Sequence, residues 1–217
     1  MSKTRRAKNL GDEVKRAVDR GGDIQAAVRD ITLKALARSE LDRDSIRKVT
    51  SEVLKGAQAA AAAYGKGAKN MMEEAVAGLD HALAHAAQAL KLSIEEAAGR
   101  TERFSDEDLA KARENLKNLE KLFLDALRET SAASRGAISS VLGDLLRHAQ
   151  ASGTAVGGEL AQSVSGLTGR MAEAGHAQFQ AGLDAAVSSG VMMARIASGV
   201  LAGIADSLAE KSKGRPG

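Results

Sequence analysis

Proline is missing from all but the end of this 217-residue chain, where the single one is Pro216. Proline removes a backbone N–H and clashes with the preceding turn, so nothing upstream of the tail forces a helix to break. Cysteine is absent, which excludes disulfides and thiolate metal sites. Aromatics are reduced to Phe104, Phe123, Phe179 and Tyr64, with no Trp, and with them go the largest single contributors to a core. Long apolar runs are missing too. Residues 187–194 and 196–205 are apolar or small but are interrupted by Arg195, and neither run reaches the roughly 20 residues needed to span a bilayer. A secretory signal is not expected: the basic start (Lys3, Arg5, Arg6, Lys8) runs into Asp12, Glu13, Lys15 and Arg16 instead of an apolar stretch. The expected location is the cytoplasm, peripheral on granules or membrane.

What is present is alanine, the best helix former, in a chain that is 44% hydrophobic. The expected fold is all-α: an elongated, Ala/Gly-rich multi-helix bundle or a set of coiled-coil-like helices. Alanine buries little area, and burial stabilises by about 25 cal/mol per Å², so shallow contacts between long helices are expected. The net charge of +3 hides an asymmetry. Charged side chains number 46 in the first 130 residues and 13 in the last 87, and the last 87 also hold 14 of the 22 glycines.

Four regions follow. Residues 1–22 read as a basic arm, disordered over 1–9, with a short helix from 12 to 18 ended by Gly21-Gly22. Residues 23–130 form a charged amphipathic helical region. Asp23 is its first N-cap candidate, and Ile24, Ala27, Val28, Ile31 and Ala35 follow at helical spacing. After a break over 39–44, Ile46, Val49, Val53 and Ala57 mark the next helix, and a kink is expected at Tyr64-Gly65-Lys66-Gly67. Met72, Val76, Leu79, Leu83, Ala86 and Leu90 then alternate by four and three, the spacing of a helix with a partner. Ser105 with Asp108, and Phe104 with Leu109, resemble a capping box and a hydrophobic staple. They open a helix whose stripe is Leu109, Ala112, Leu116, Leu119, Phe123 and Ala126. Residues 131–210 form a low-charge Gly/Ala/Ser-rich helical region, with stripes at Ile138, Val141, Leu142 and Leu145, at Leu160, Val164, Leu167 and Met171, and at Met193, Ala197, Val200, Ile204 and Leu208. Gly153, Gly157 and Gly158 are expected to separate the first two stripes. Residues 211–217 form a basic tail.

Gly56, Gly67 and Gly78 lie eleven apart, as do Leu145, Val156 and Leu167. Eleven residues make almost three whole turns, so such a stripe runs nearly straight along a helix. Two readings are open: a repeat that adsorbs flat on an apolar surface, or ordinary bundle packing, in which every helical stripe visits offsets of 3, 4, 7 and 11.

Catalytic chemistry finds little support. His81 and His85 share a face at i, i+4, but the residue after the first is Ala82 where a metalloprotease helix carries Glu, and no third ligand is apparent. No metal and no cofactor is expected. Residues 65–69 (Gly-Lys-Gly-Ala-Lys) lack both the strand and the glycine spacing of a phosphate loop. No nucleophile elbow surrounds any serine, and paired carboxylates such as Glu73/Glu74 and Glu95/Glu96 read as solvated faces. The basic arm has no interleaved aromatics, so nucleic acid is not an expected partner.

The remaining class is a non-catalytic structural or interaction protein. One reading is a coat that associates with a hydrophobic surface through amphipathic helices; the other is a self-associating helical scaffold with no lipid or granule role. Its contact residues, to a surface or to partner helices, are expected to be Leu109, Leu116, Leu119, Phe123, Leu160, Val164, Leu167, Met171, Met193, Val200 and Ile204. Through this composition, and segments such as Met71-Met72-Glu73-Glu74-Ala75-Val76 and Leu116-Lys117-Asn118-Leu119-Glu120-Lys121-Leu122-Phe123, the chain resembles phasins, the bacterial polyhydroxyalkanoate granule proteins. The resemblance implies a granule-associated, oligomer-forming protein without enzymatic activity.

Overall fold

A computed structural model describes residues 3–39, 41–98, 106–163 and 197–208. All of its regular structure is helical. Six α-helices follow in order: α1 (Lys3–Arg20), α2 (Ile24–Ala37), α3 (Arg43–Ala61), α4 (Ala68–Ala98), α5 (Asp106–Ala133) and α6 (Ala137–Ser152), with a 3-10 turn at Gly65–Gly67 before α4. Two further helical stretches cover 155–163 and 197–208. α3 and α4 are central. The α1–α2 hairpin packs α1 against α3 and α2 against α4, α5 lies against both central helices, and α6 packs on α4 and α5. The sequence thus builds the all-α bundle expected of it.

Local chemistry sets the breaks. α1 ends where Gly21 and Gly22 take φ of +69° and +79°, and Asp23 caps α2 by accepting the Ala26 N–H at 2.8 Å. Asp42 caps α3 in the same way through the Ser45 N–H at 2.7 Å. Between them Leu41 has φ +52° although it is not glycine. That conformation costs about 1–2 kcal/mol, and complete burial of the leucine side chain, worth about 1.5–3 kcal/mol, offsets it.

Thirteen of the forty buried apolar residues among those described are alanines, and Phe123 is the single aromatic. Small side chains let backbones approach. A Cβ on Gly56 would collide with the backbone of Gly11, 3.0 Å from its Cα and carbonyl carbon and nearer still to its oxygen. A Cβ on Gly78 would run into the Gln25 carbonyl oxygen and lie 3.1 Å from Arg29 N. These two members of the eleven-residue series are therefore the crossing points of α1 on α3 and of α2 on α4. Packing inside the chain accounts for them; Gly67 lies in the turn.

Four expectations need correction. The arm at 1–9 is helix from Lys3, because nothing between it and Gly11 breaks the helix and Gly11 lies at the α3 crossing. In α2 the buried side chains are Ile24, Val28, Thr32, Leu33 and Leu36, so the stripe is rotated from Ile31 and Ala35; Thr32 satisfies its hydroxyl on the Val28 carbonyl at 2.7 Å. The change of composition at residue 130 is not a structural boundary, since α5 continues to Ala133 and α6 packs back onto α4 and α5. Gly157 and Gly158 do not separate helices: Gly153, at φ +83°, makes the break alone, and the other two lie inside helical residues 155–163. Ser105 of the capping box and Phe104 of the staple lie outside the described residues.

Candidate functional site

The residues expected to make surface or partner contacts divide into three groups. Leu116, Leu119 and Phe123 are fully buried on α5, and Leu160 is buried on the stretch 155–163. They meet partner helices, but those helices belong to the same chain, so these side chains are not available to an outside surface. Val200 is half-buried against the core, and Ile204 is half-buried beside it. The buried stripe of 197–208 is instead Ala197, Leu201 and Ala205, with Leu201 fully covered. The side chain of Leu109, and all of Val164, Leu167, Met171 and Met193, lie outside what the structure describes. Exposed large apolar side chains among the described residues are limited to Tyr64 and Leu92.

The most elaborate polar arrangement is where the C-terminal part of the chain meets the bundle. Asp80, midway along α4, accepts the Ala155 N–H at 2.7 Å and the Val156 N–H at 3.0 Å, one on each carboxylate oxygen. Glu120 on α5 accepts the Thr154 hydroxyl at 2.7 Å, and that hydroxyl in turn accepts the Gly157 N–H at 2.8 Å. The Gly158 N–H reaches the Thr154 carbonyl at 3.0 Å. The Ala155, Val156 and Gly157 N–H groups of this helix start are thus matched, with an ordinary Thr N-cap completed by two carboxylates from other helices. Burial is the main influence on Asp80 and lifts its carboxyl above the ordinary carboxylate range. The Val156 and Ala155 N–H groups and His81 pull it back, and the Glu120 charge adds to the rise. Little in the sequence marks this junction, because the partners of Asp80 and Glu120 lie 34 to 76 residues away. The one local clue was Thr154 directly after Gly153.

The histidine pair is separated by its hydrogen bonds. His81 Nδ1 pairs with Gln25 Nε2 on α2 at 3.3 Å, whereas His85 Nδ1 faces Gln88 Oε1 at 3.4 Å. Among the described residues no three of His, Asp and Glu are grouped to hold a metal ion. Two open grooves lie on the surface, one lined by Glu13, Arg16, Asp19 and Arg20 and the other by Lys69, Glu73, Val141, Asp144, Leu145 and His148. None of the described helices is long and apolar enough to cross a membrane.

Residues 1–210 match the model of a family described as a family of unknown function (DUF6781), and the chain belongs to that family. No curated protein and no solved structure matches it.

Proposed function

We propose that this protein is a non-catalytic, phasin-like association protein. It attaches to a hydrophobic surface, a storage granule or a lipid layer, through its low-charge C-terminal region, with the α1–α6 bundle as the body that faces the cytosol. One observation carries the reading. The bundle keeps nearly all its described apolar side chains for its own core, while residues 164–196 hold only four charged side chains, Arg170, Glu173, Asp184 and Arg195, among apolar ones such as Leu167, Met171, Phe179, Leu183 and Met193. A stretch of sequence so rich in apolar side chains and so poor in charge is the composition expected of a site of association. Both flanks support it: Val156 and Leu160 before the stretch, and Ala197 and Leu201 after it, are anchored in the bundle core.

A specific feature favours the second reading, self-association of the bundle. Gly199 and Gly203 lie exposed one turn apart, with nothing within 4 Å of where a Cβ would stand, and this chain already crosses helices at glycines.

The test is sedimentation of the full-length protein with polyester particles and with phospholipid vesicles. The protein is expected to co-sediment with one of them. The triple variant Leu167→Ser, Met171→Ser, Met193→Ser is expected to remain in the supernatant at unchanged helicity. Wild-type protein that sediments with neither, while forming a defined oligomer, moves the conclusion to the second reading.

A further inference from the structure

Gly153 interrupts the chain where the last part of the described bundle begins. Its φ of +83° is a conformation that side chains rarely adopt, and the space beside it is open. The helical stretch 155–163 then runs on, attached to the body by few apolar anchors: Val156, which is fully buried, and Leu160, which is nearly so. α4 alone buries a dozen side chains in the same core. A segment with few buried contacts opens at lower free energy than the elements around it.

Its polar attachment is of a different kind from the other helix starts. α2 and α3 are capped by the residue directly before them, Asp23 and Asp42. A cap of that sort travels with its helix and says nothing about where the helix docks. At 155–163 the carboxylates come from the body: Asp80 on α4 takes the Ala155 and Val156 N–H groups, and Glu120 on α5 takes the Thr154 hydroxyl. These hydrogen bonds exist only while the segment is seated. Their acceptors are carboxylate oxygens, and the two N–H groups on Asp80 offset part of what burial costs that carboxylate. Seating also brings two like charges toward one helix start, with His81 the titratable neighbour on the same helix as Asp80. Gly157 completes the fit, since a Cβ there would strike the Glu120 carboxylate.

We propose that Asp80 and Glu120 form a clasp that holds residues 154–163 on the bundle, and that breaking the clasp lets this segment lift away about Gly153 while α1–α6 remain folded. Lifting uncovers Val156 and Leu160, so the clasp decides whether that apolar stripe is covered. The proposal holds whichever surface the protein binds, and its test needs no surface.

Hydrogen exchange read by mass spectrometry on the full-length chain tests it. In Asp80→Ala, exchange in a peptide spanning 154–163 is expected to rise about 10- to 100-fold, the worth of one hydrogen bond to a charged group. Peptides from α3 and the first half of α4 are expected to keep their wild-type rates. Asp80→Asn retains one carbonyl acceptor, so its rise is expected to be smaller than that of the alanine variant. Should Asp80→Ala fail to fold, Thr154→Val serves in its place: it is close to isosteric, removes the hydroxyl that joins Glu120 to the Gly157 N–H, and is expected to raise exchange at 154–163 about tenfold. Two results overturn the proposal: exchange at 154–163 unchanged in a folded variant, or exchange rising together across 154–163, α3 and α4, which would make the segment one cooperative unit with the bundle.

Discussion

Replacing Gly56 by alanine adds one methyl group at the crossing of α1 and α3, and its effect can be worked from two opposing contributions. Alanine favours a helix interior over glycine by about 1 kcal/mol. Against this, the new Cβ would stand 3.0 Å from both the Cα and the carbonyl carbon of Gly11. These are backbone atoms of a packed helix, so no rotamer change relieves the clash and α1 must move off α3. Overpacking of this kind costs about 1–3 kcal/mol, and rigid neighbours place it in the upper part of that range. The net expectation is a loss of about 1–2 kcal/mol, or about 2–8 °C in Tm for a chain of this size. Gly203→Ala is the matched control. Gly203 is helical and exposed with nothing within 4 Å, so the same methyl is expected to stabilise by about 0.5–1 kcal/mol. Thermal unfolding followed by circular dichroism at 222 nm reads both. The reasoning is refuted if Gly56→Ala raises Tm as Gly203→Ala does, because the close crossing would then not exist.

Three further outcomes follow from the same geometry. The Asp80 carboxyl is raised chiefly by burial, so it holds its proton more tightly folded than unfolded. Its contribution to stability is complete below the ordinary carboxylate range and is lost as pH rises through the raised value. Asp80→Asn has no such proton, so its Tm relative to wild type is expected to climb as pH rises from the ordinary carboxylate range through the raised value, and a flat or falling difference contradicts the assignment. Phe123→Ala empties the one aromatic site of the core among the described residues and is expected to cost about 3–5 kcal/mol by urea titration; a cost below about 1 kcal/mol would place Phe123 outside the core. Arg47→Ala removes the 2.6 Å ion pair with Glu129 that spans α3 and α5, but both partners are more than half exposed, so less than about 1 kcal/mol is expected in the same titration.

Much of the fold is legible in the spacing of apolar residues. The α4 seam of Met72, Val76, Leu79, Leu83, Ala86 and Leu90 is buried throughout, as is the α3 stripe of Ile46, Val49, Val53 and Ala57. The Asp23 cap and the Gly21-Gly22 and Gly65–Gly67 breaks also stand where local chemistry places them. Periodicity does less well where alanine and threonine dilute the stripe: in α2 it selects Ile31 and Ala35 over Thr32 and Leu36, and in 197–208 it passes over Leu201. It cannot tell which partner a stripe will find. Leu116, Leu119 and Phe123 have the pattern of a helix that seeks an apolar surface, and that surface is supplied by α3 and α4 of the same chain. The glycine series and the Asp80–Glu120 junction were illegible for the same reason. Gly56 answers to Gly11 and Asp80 to Ala155, and no local window contains both members of either pair.

The surface-association claim is tested most directly by the position of the full-length protein, fused to a fluorescent reporter, in cells that accumulate storage granules and in the same cells grown without them. The account expects a signal concentrated on granule surfaces when granules are present and diffuse when they are absent, with the Leu167→Ser, Met171→Ser, Met193→Ser variant diffuse in both. A signal that is diffuse in both conditions, or that ignores the three substitutions, contradicts it.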